Sequence, residues 1–318
     1  MRIKNIIRTV WIGTFIFNSS CAHDEIPGGG ETGRGSEVSL RISALSMEGG
    51  AEVTRAATST PIGTGKNVGF FVKADAGKYV AQTNLKGVYD GTLRSWVPVD
   101  SIWLNDHDAT LMVYYPYIPG MSGTVLELTA GLFPTADDTG DLSYARFEAN
   151  NRYLTEGNKK IDITLDPVYA RLVLTVVKDA TYPVQAKVSK IRVSGVSINS
   201  KAKIDLATDN YHTYTAGPVA CVFPDKIVGL ESDASPVIID LLLIPGALAA
   251  DVTLSLTLDG KETKVVIDRA KFGNALIAGK KYTATLKIKP GELNIGSVDL
   301  ADWVAGSGGG IDSGTEFD

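Results

Sequence analysis

The chain has 318 residues, of which 44% are hydrophobic and 21% charged, and a formal net charge of −5. That balance, over a length of about two domains of ~150 residues each, excludes a disordered or fibrous chain. The 31 lysines and arginines are outnumbered by 36 aspartates and glutamates and lie singly along candidate strands. Such scatter offers no basic patch to a phosphate backbone and argues against nucleic acid as a partner.

Arg2, Lys4 and Arg8 form a positive start, and Val10 to Phe17 an apolar core shorter than the ~20 residues that span a bilayer. Residues 1–20 therefore read as a secretion signal, and their removal leaves 28 Lys and Arg against 36 Asp and Glu, a net of −8. Asn18-Ser19-Ser20-Cys21 resembles the lipobox of bacterial lipoproteins, where the cysteine is acylated and becomes the new N-terminus. Asn18 departs from that pattern, since an aliphatic residue is commoner there; an ordinary signal peptide with an incidental cysteine is the alternative. With Cys21 lipidated, Cys221 has no intramolecular disulfide partner, and its neighbours Ala220, Val222 and Phe223 point to a buried thiol. No other apolar run is long enough to span a bilayer, so membrane attachment is expected through the lipid at Cys21.

Residues 21–35 are glycine-rich and poor in apolar side chains, which predicts a flexible tether. The acidic pair Asp24-Glu25 within it resembles the export signal of surface lipoproteins, although two solvating charges explain it equally. From Glu37 the period is two: Val38, Leu40, Ile42 and Ala44 alternate with polar residues, as in a strand with one buried face. The same alternation returns from Val168 to Val176, from Val252 to Leu258 and from Tyr282 to Ile288. Asp259-Gly260 marks a hairpin, Tyr89-Asp90-Gly91-Thr92 marks a second, and Asp268 to Leu276 is the best helical candidate. The expected fold is all-β, in two tandem β-sandwich domains at 36–166 and 167–304 that meet near Asp166-Pro167, with a mobile glycine-rich tail at 305–318.

Catalytic chemistry has no evident seat. His23, His107 and His212 are far apart, no G-x-S-x-G elbow exists, and Gly63-Thr64-Gly65-Lys66-Asn67 lacks the upstream glycine and the Ser/Thr of a phosphate loop. Asp106-His107-Asp108 and Asp137-Asp138-Thr139-Gly140-Asp141 miss the order of a calcium loop and fit turn chemistry better. The expectation is no enzyme, no cofactor and no metal. Tyr114, Tyr115 and Tyr117 suggest either a sugar platform or, more in keeping with strand aromatics, core pairs.

Several segments in order resemble the fimbrillin family, the pilins and pilin-like lipoproteins of Bacteroidetes. They are the lipobox-like Cys21, the strand Val38 to Ala44 followed by Val53-Thr54-Arg55-Ala56, and Val68-Gly69-Phe70-Phe71-Val72. Next come the aromatic block Tyr114-Tyr115-Pro116-Tyr117, then Tyr169-Ala170-Arg171-Leu172, and finally Gly279-Lys280-Lys281-Tyr282 with Trp303. The resemblance implies two transthyretin-like sandwiches and a surface or fimbrial location on the outer membrane. It also implies partnership with other fimbrial subunits by β-strand addition, and a host protein or glycan as adhesive ligand. In that family an arginine-specific protease cuts behind the first strand, which leaves a groove for a neighbour's strand. Arg55 fits that cut by position, while Arg34 precedes the strand and Arg41 lies inside it; an ordinary solvated arginine at 55 is the competing reading. Val38, Leu40, Ile42 and Ala44 would be the displaced face. The alternative function is a glycan-binding surface lipoprotein that does not polymerise.

Overall fold

The computed structural model describes residues 37–47, 60–133, 142–151, 161–182, 185–230 and 236–302. Cys21, Arg34, Arg55, the aspartates at 137, 138 and 141, Trp303 and both glycine-rich segments lie outside them. The described chain is all-β. Its first strands are β1 (Val38–Ser39), β2 (Ile42–Met47), β3 (Thr60–Pro61), β4 (Val68–Val72), β5 (Gln82–Asp90), β6 (Ser95–Pro98) and β7 (Trp103–Leu104). There follow β8 (Ala109–Tyr115), β9 (Val125–Thr129), β10 (Gly131–Leu132), β11 (Ser143–Ala149) and β12 (Ile161–Pro167).

Pairing runs in the order β12-β11-β8-β4-β5-β6-β2, and a parallel β2–β12 ladder joins the two ends. The strands thus form a closed circuit, in which the β2–β6 link is the single pair Ile42↔Trp96. Closure leaves few free edges for unwanted pairing. Inside lies one hydrophobic cluster that includes Leu40, Ile42, Phe70, Trp96, Val113 and Leu165. Strands β4 and β8 are apolar on both faces for a physical reason. Phe70, Leu111 and Val113 face the enclosed cluster, whereas Phe71, Met112 and Tyr114 face outward into a second one. Burial on both faces removes the alternation that one wet face imposes.

The remaining strands are β13 (Ala170–Lys178), β14 (Ala186–Ser194), β15 (Asn199–Asp205), β16 (Asn210–Ala216), β17 (Val219–Val228) and β18 (Val237–Leu243). They continue as β19 (Gly246–Ala247), β20 (Val252–Leu258), β21 (Lys261–Ile267), β22 (Ala275–Leu276), β23 (Lys280–Lys289) and β24 (Glu292–Asp302). A five-stranded sheet, β10-β18-β13-β23-β24, and a four-stranded sheet, β17-β14-β20-β21, bury their inner faces in one cluster with Leu174, Ile191, Leu254 and Tyr282. The expected alternations at Val252–Leu258 and Tyr282–Ile288 are β20 and β23. The run expected from Val168 becomes β13 only at Ala170, and Val168 packs into the second cluster. Asp259 and Gly260, at φ 47° and 80°, make the two-residue turn between β20 and β21. The other expected hairpin joins β5 to β6 through residues 91–94, where Asp90 Oδ1 accepts from the N–H groups of Thr92 and Leu93. The helical candidate shrinks to one 3-10 turn, Arg269–Phe272, capped by Asp268 and ended by Gly273 at φ 67°.

Two strands that precede Asp166 are laddered to strands that follow it: β9 pairs with β15, and β10 with β18. The second cluster fills the same seam, with Phe71 and Tyr114 on one side and Ala202, Ile204 and Leu242 on the other. A buried ion pair reinforces it. Arg171 Nη2 lies 2.7 Å from Asp240 Oδ2 and Nε 3.0 Å from Oδ1, while the guanidinium sits 4.3 Å from the Phe133 ring centre. Among the described residues no helix is long and apolar enough to cross a membrane.

Gly69 in β4 is directly opposite Tyr114 in β8, and a Cβ there would fall 1.9 Å from the Tyr114 ring. The glycine exists so that the ring can lie across the strand. Gly69→Ala is therefore expected to lower stability by roughly 1–3 kcal/mol through overpacking, whereas Gly91→Ala, with nothing within 4 Å of the new methyl, should stay within about 0.5 kcal/mol. Urea unfolding of the two variants beside the parent chain measures both.

Candidate strand-exchange site

The segment from Val38 to Met47 is held along both edges. Val38 and Ser39 pair with Leu104 and Trp103, and the Leu40 N–H donates to the Ile102 carbonyl at 2.7 Å. Farther along, Ser46 and Met47 pair with Pro61 and Thr60, and the Ile62 N–H donates to the Leu45 carbonyl at 2.9 Å. The other edge is the parallel ladder to β12, from Ile161↔Ile42 to Leu165↔Met47. Between β2 and β3 the chain passes through residues 48–59, which include Arg55.

Side-chain placement corrects the simple alternation. Leu40 and Ile42 are fully buried and Val38 is half-buried against the same cluster, as expected for an inward face. Ala44 is exposed, and Leu45 at 2% exposure takes the inward place. The reason is a bulge: the register steps from Ile161↔Ile42 to Asp162↔Ala44, which leaves Ser43 extra. The Ser43 hydroxyl donates to Asp162 Oδ1, and Ser46 and Thr164 bring their hydroxyls to 3.3 Å on the outer face. One extra residue shifts every later side chain to the other face.

Leu45 and its partner Ile163 are thus site residues that alternation counting misses; the pair of small residues Ser43-Ala44 ahead of Leu45 is the signal that was available. Arg41 is half-buried between Leu40 and Ile42. The inward set of Leu40, Ile42 and Leu45, at ~1.5–3 kcal/mol for each large side chain removed from water, amounts to roughly 5–9 kcal/mol as an upper figure.

Two of the three tyrosines of the aromatic block are closed to a sugar, while Tyr117 is half-buried against the second cluster. Tyr114 and Tyr115 are 0% and 2% exposed and pack on opposite faces of β8. Tyr114 stacks on Phe71 with ring centres 5.7 Å apart, and its hydroxyl donates to Asn84 Oδ1 at 2.6 Å. Burial pushes its pKa up to about 12. Asp106-His107-Asp108 is turn material: the His107 N–H donates to Asn105 Oδ1, and Asp108 accepts from the Asn150 amide. Among the described residues no group of three or more His, Cys, Asp or Glu side chains is gathered as a metal site. Cys221 is buried in the sandwich cluster, which raises its thiol pKa.

A family profile described as fimbrillin-like matches residues 54–303. Among solved structures, a candidate cell adhesion protein from Bacteroides uniformis superposes with a TM-score of 0.57 at 16% identity, covering 84% of this chain and 99% of that one. A second, from Bacteroides ovatus, gives 0.57 at 14% identity, covering 85% and 99%. These likenesses speak for the fold alone. No curated protein matches the chain in sequence.

Substitution separates the inward from the outward positions. Ile42→Ala is expected to cost roughly 2–5 kcal/mol because it empties a packed site, whereas Ala44→Ser should be neutral within about 0.5 kcal/mol. Equal losses in urea unfolding would contradict the bulged register.

Proposed function

The chain belongs to the fimbrillin-like family, and from that premise we propose that it is a lipid-anchored pilus subunit assembled by protease-triggered strand exchange. The family accounts for a fimbrial, cell-surface role with other fimbrial subunits as partners, and for structural rather than catalytic work. The finer reading rests on one observation. Segment 38–47 supplies buried apolar side chains to a core and lies between two sets of main-chain partners, while the link that follows carries Arg55.

A cut after Arg55 leaves that segment held by non-covalent contacts alone. Its departure opens a slot between β12 on one side and β3, β6 and β7 on the other. A strand from a neighbouring copy regains the same main-chain hydrogen bonds and fills the positions of Leu40, Ile42 and Leu45, which is the thermodynamics of strand addition. Roughly 5–9 kcal/mol of apolar burial is then recovered between subunits instead of within one, so an emptied slot drives association. Until that cut, lipidation of Cys21 tethers the subunit to the outer membrane through residues 21–35; after it, the lipid stays with the detached segment. In this reading the body consists of two sandwich-like domains at 36–166 and 167–304, with the strands at 125–132 crossing between them.

Arginine-specific proteolysis of the purified protein is expected to cut at Arg55 and to produce ladders of oligomers, and Arg55→Ala should abolish both. A chain cut at Arg55 that stays monomeric at high concentration would remove the strand-exchange reading. Cys21→Ala is expected to release the protein from the membrane fraction of expressing cells; unchanged retention would remove the lipid anchor.

A further inference from the structure

The lysines and arginines that are scattered in sequence are not scattered on the surface. On the outer face of the four-stranded sheet, Arg192 of β14 is opposite Ser255 of β20, which is itself opposite Lys264 of β21. In the next row Lys190 is opposite Thr257, and Thr257 opposite Glu262. Lys187 follows on β14 beyond a bulge. The neighbours Val188, Ile191, Leu254 and Leu256 point into the core, so the four cations share the solvent side, and all four are exposed. Ser255 is left only 5% exposed, as expected when alkyl stems of flanking cations lie over it.

Strands lie about 4.8 Å apart and residues i and i+2 about 6.8 Å apart, which brings Lys190, Arg192 and Lys264 within roughly 12 Å of one another. None of the four cations has an ion-pair partner among the described residues. Glu262 is the one carboxylate in these two rows, so four cations against one anion leave the face net positive. In a chain with more acidic than basic residues, such a gathering is a local inversion of sign.

We propose that this sheet face binds an acidic polysaccharide, sulfated or carboxylated, with Lys187, Lys190, Arg192 and Lys264 pairing its anionic groups. The outward rows form an open face that suits an extended polymer, and Thr257 places a hydroxyl between Lys190 and Glu262 for sugar hydrogen bonds. No aromatic side chain stands in these rows, which removes the stacking that single-stranded nucleic acid uses. The exposed apolar side chains nearby, Val222, Ile227 and Val266, are too few to insert into a bilayer. The proposal rests on the fimbrial surface location and is independent of strand exchange.

Binding of the uncleaved protein to heparin, uncharged dextran, duplex DNA and phosphatidylglycerol vesicles tests it. Expected is retention on heparin that is competed by chondroitin sulfate and falls steeply with salt, with no binding to dextran. Lys190→Glu with Arg192→Glu should weaken heparin binding roughly tenfold or more, while the matched pair Lys73→Glu with Lys86→Glu, exposed in the first half of the chain, should change it less than about twofold. All four substitutions are at exposed positions, and unchanged urea midpoints verify intact folding. Absence of heparin binding, equal losses in both pairs, or DNA or vesicles held as tightly through the same residues would each overturn the proposal. Because the assay uses uncut monomer, its failure leaves strand exchange untouched, and failure of strand exchange leaves it untouched.

Discussion

The parallel ladder between β2 and β12 is the constraint on which the first half of the molecule depends. Without it the strands from β12 through β11, β8, β4 and β5 to β6 form an open, curved sheet, and the cluster of Phe70, Trp96 and Val113 has an uncovered side. With it the sheet meets itself, and Leu40, Ile42 and Leu45 complete the filling. A closing piece contributed by the first described strands is also the piece most simply detached, since only the link through residues 48–59 ties it covalently to β3 and the strands beyond. Closure by burial rather than by covalent connection is what makes exchange between copies thermodynamically reasonable.

The seam between the halves is governed by a different balance. Phe71, Met112 and Tyr114 turn outward from the closed circuit and need cover, and β9 with the small sheet behind it supplies that cover. Arg171 is nearly buried at the same seam, a position tenable only because Asp240 meets it with paired hydrogen bonds and Phe133 offers its ring face. An apolar cluster and one satisfied ion pair together join strands from both sides of Asp166, so a load on one half is carried into the other.

The outer sheet faces tell a third story. Cations that alternate with core residues along β14 and β21 cost little in folding, because the strand period delivers them to solvent automatically. Their assembly into one field comes from sheet pairing, which sets Arg192 and Lys264 two strands apart in one row. A sequence count sees a mildly acidic protein, whereas this one face gathers four exposed cations.

Sequence alone determined the all-β character, the runs from Val252 to Leu258 and from Tyr282 to Ile288, the Asp259-Gly260 turn and the inward placing of Leu40 and Ile42. Each is set by neighbours within a few residues, through period-two burial or the backbone freedom of the turn pair. Tertiary structure alone decided that Ala44 faces out and Leu45 in, that the first strand closes a circuit beside β12, that strands before Asp166 pair behind it, and that scattered lysines and arginines share a face. Those outcomes depend on which strands lie side by side and in what register, and register is fixed by contacts between residues far apart in the chain, such as Ile42 with Ile161 and Arg192 with Ser255, which local periodicity does not encode.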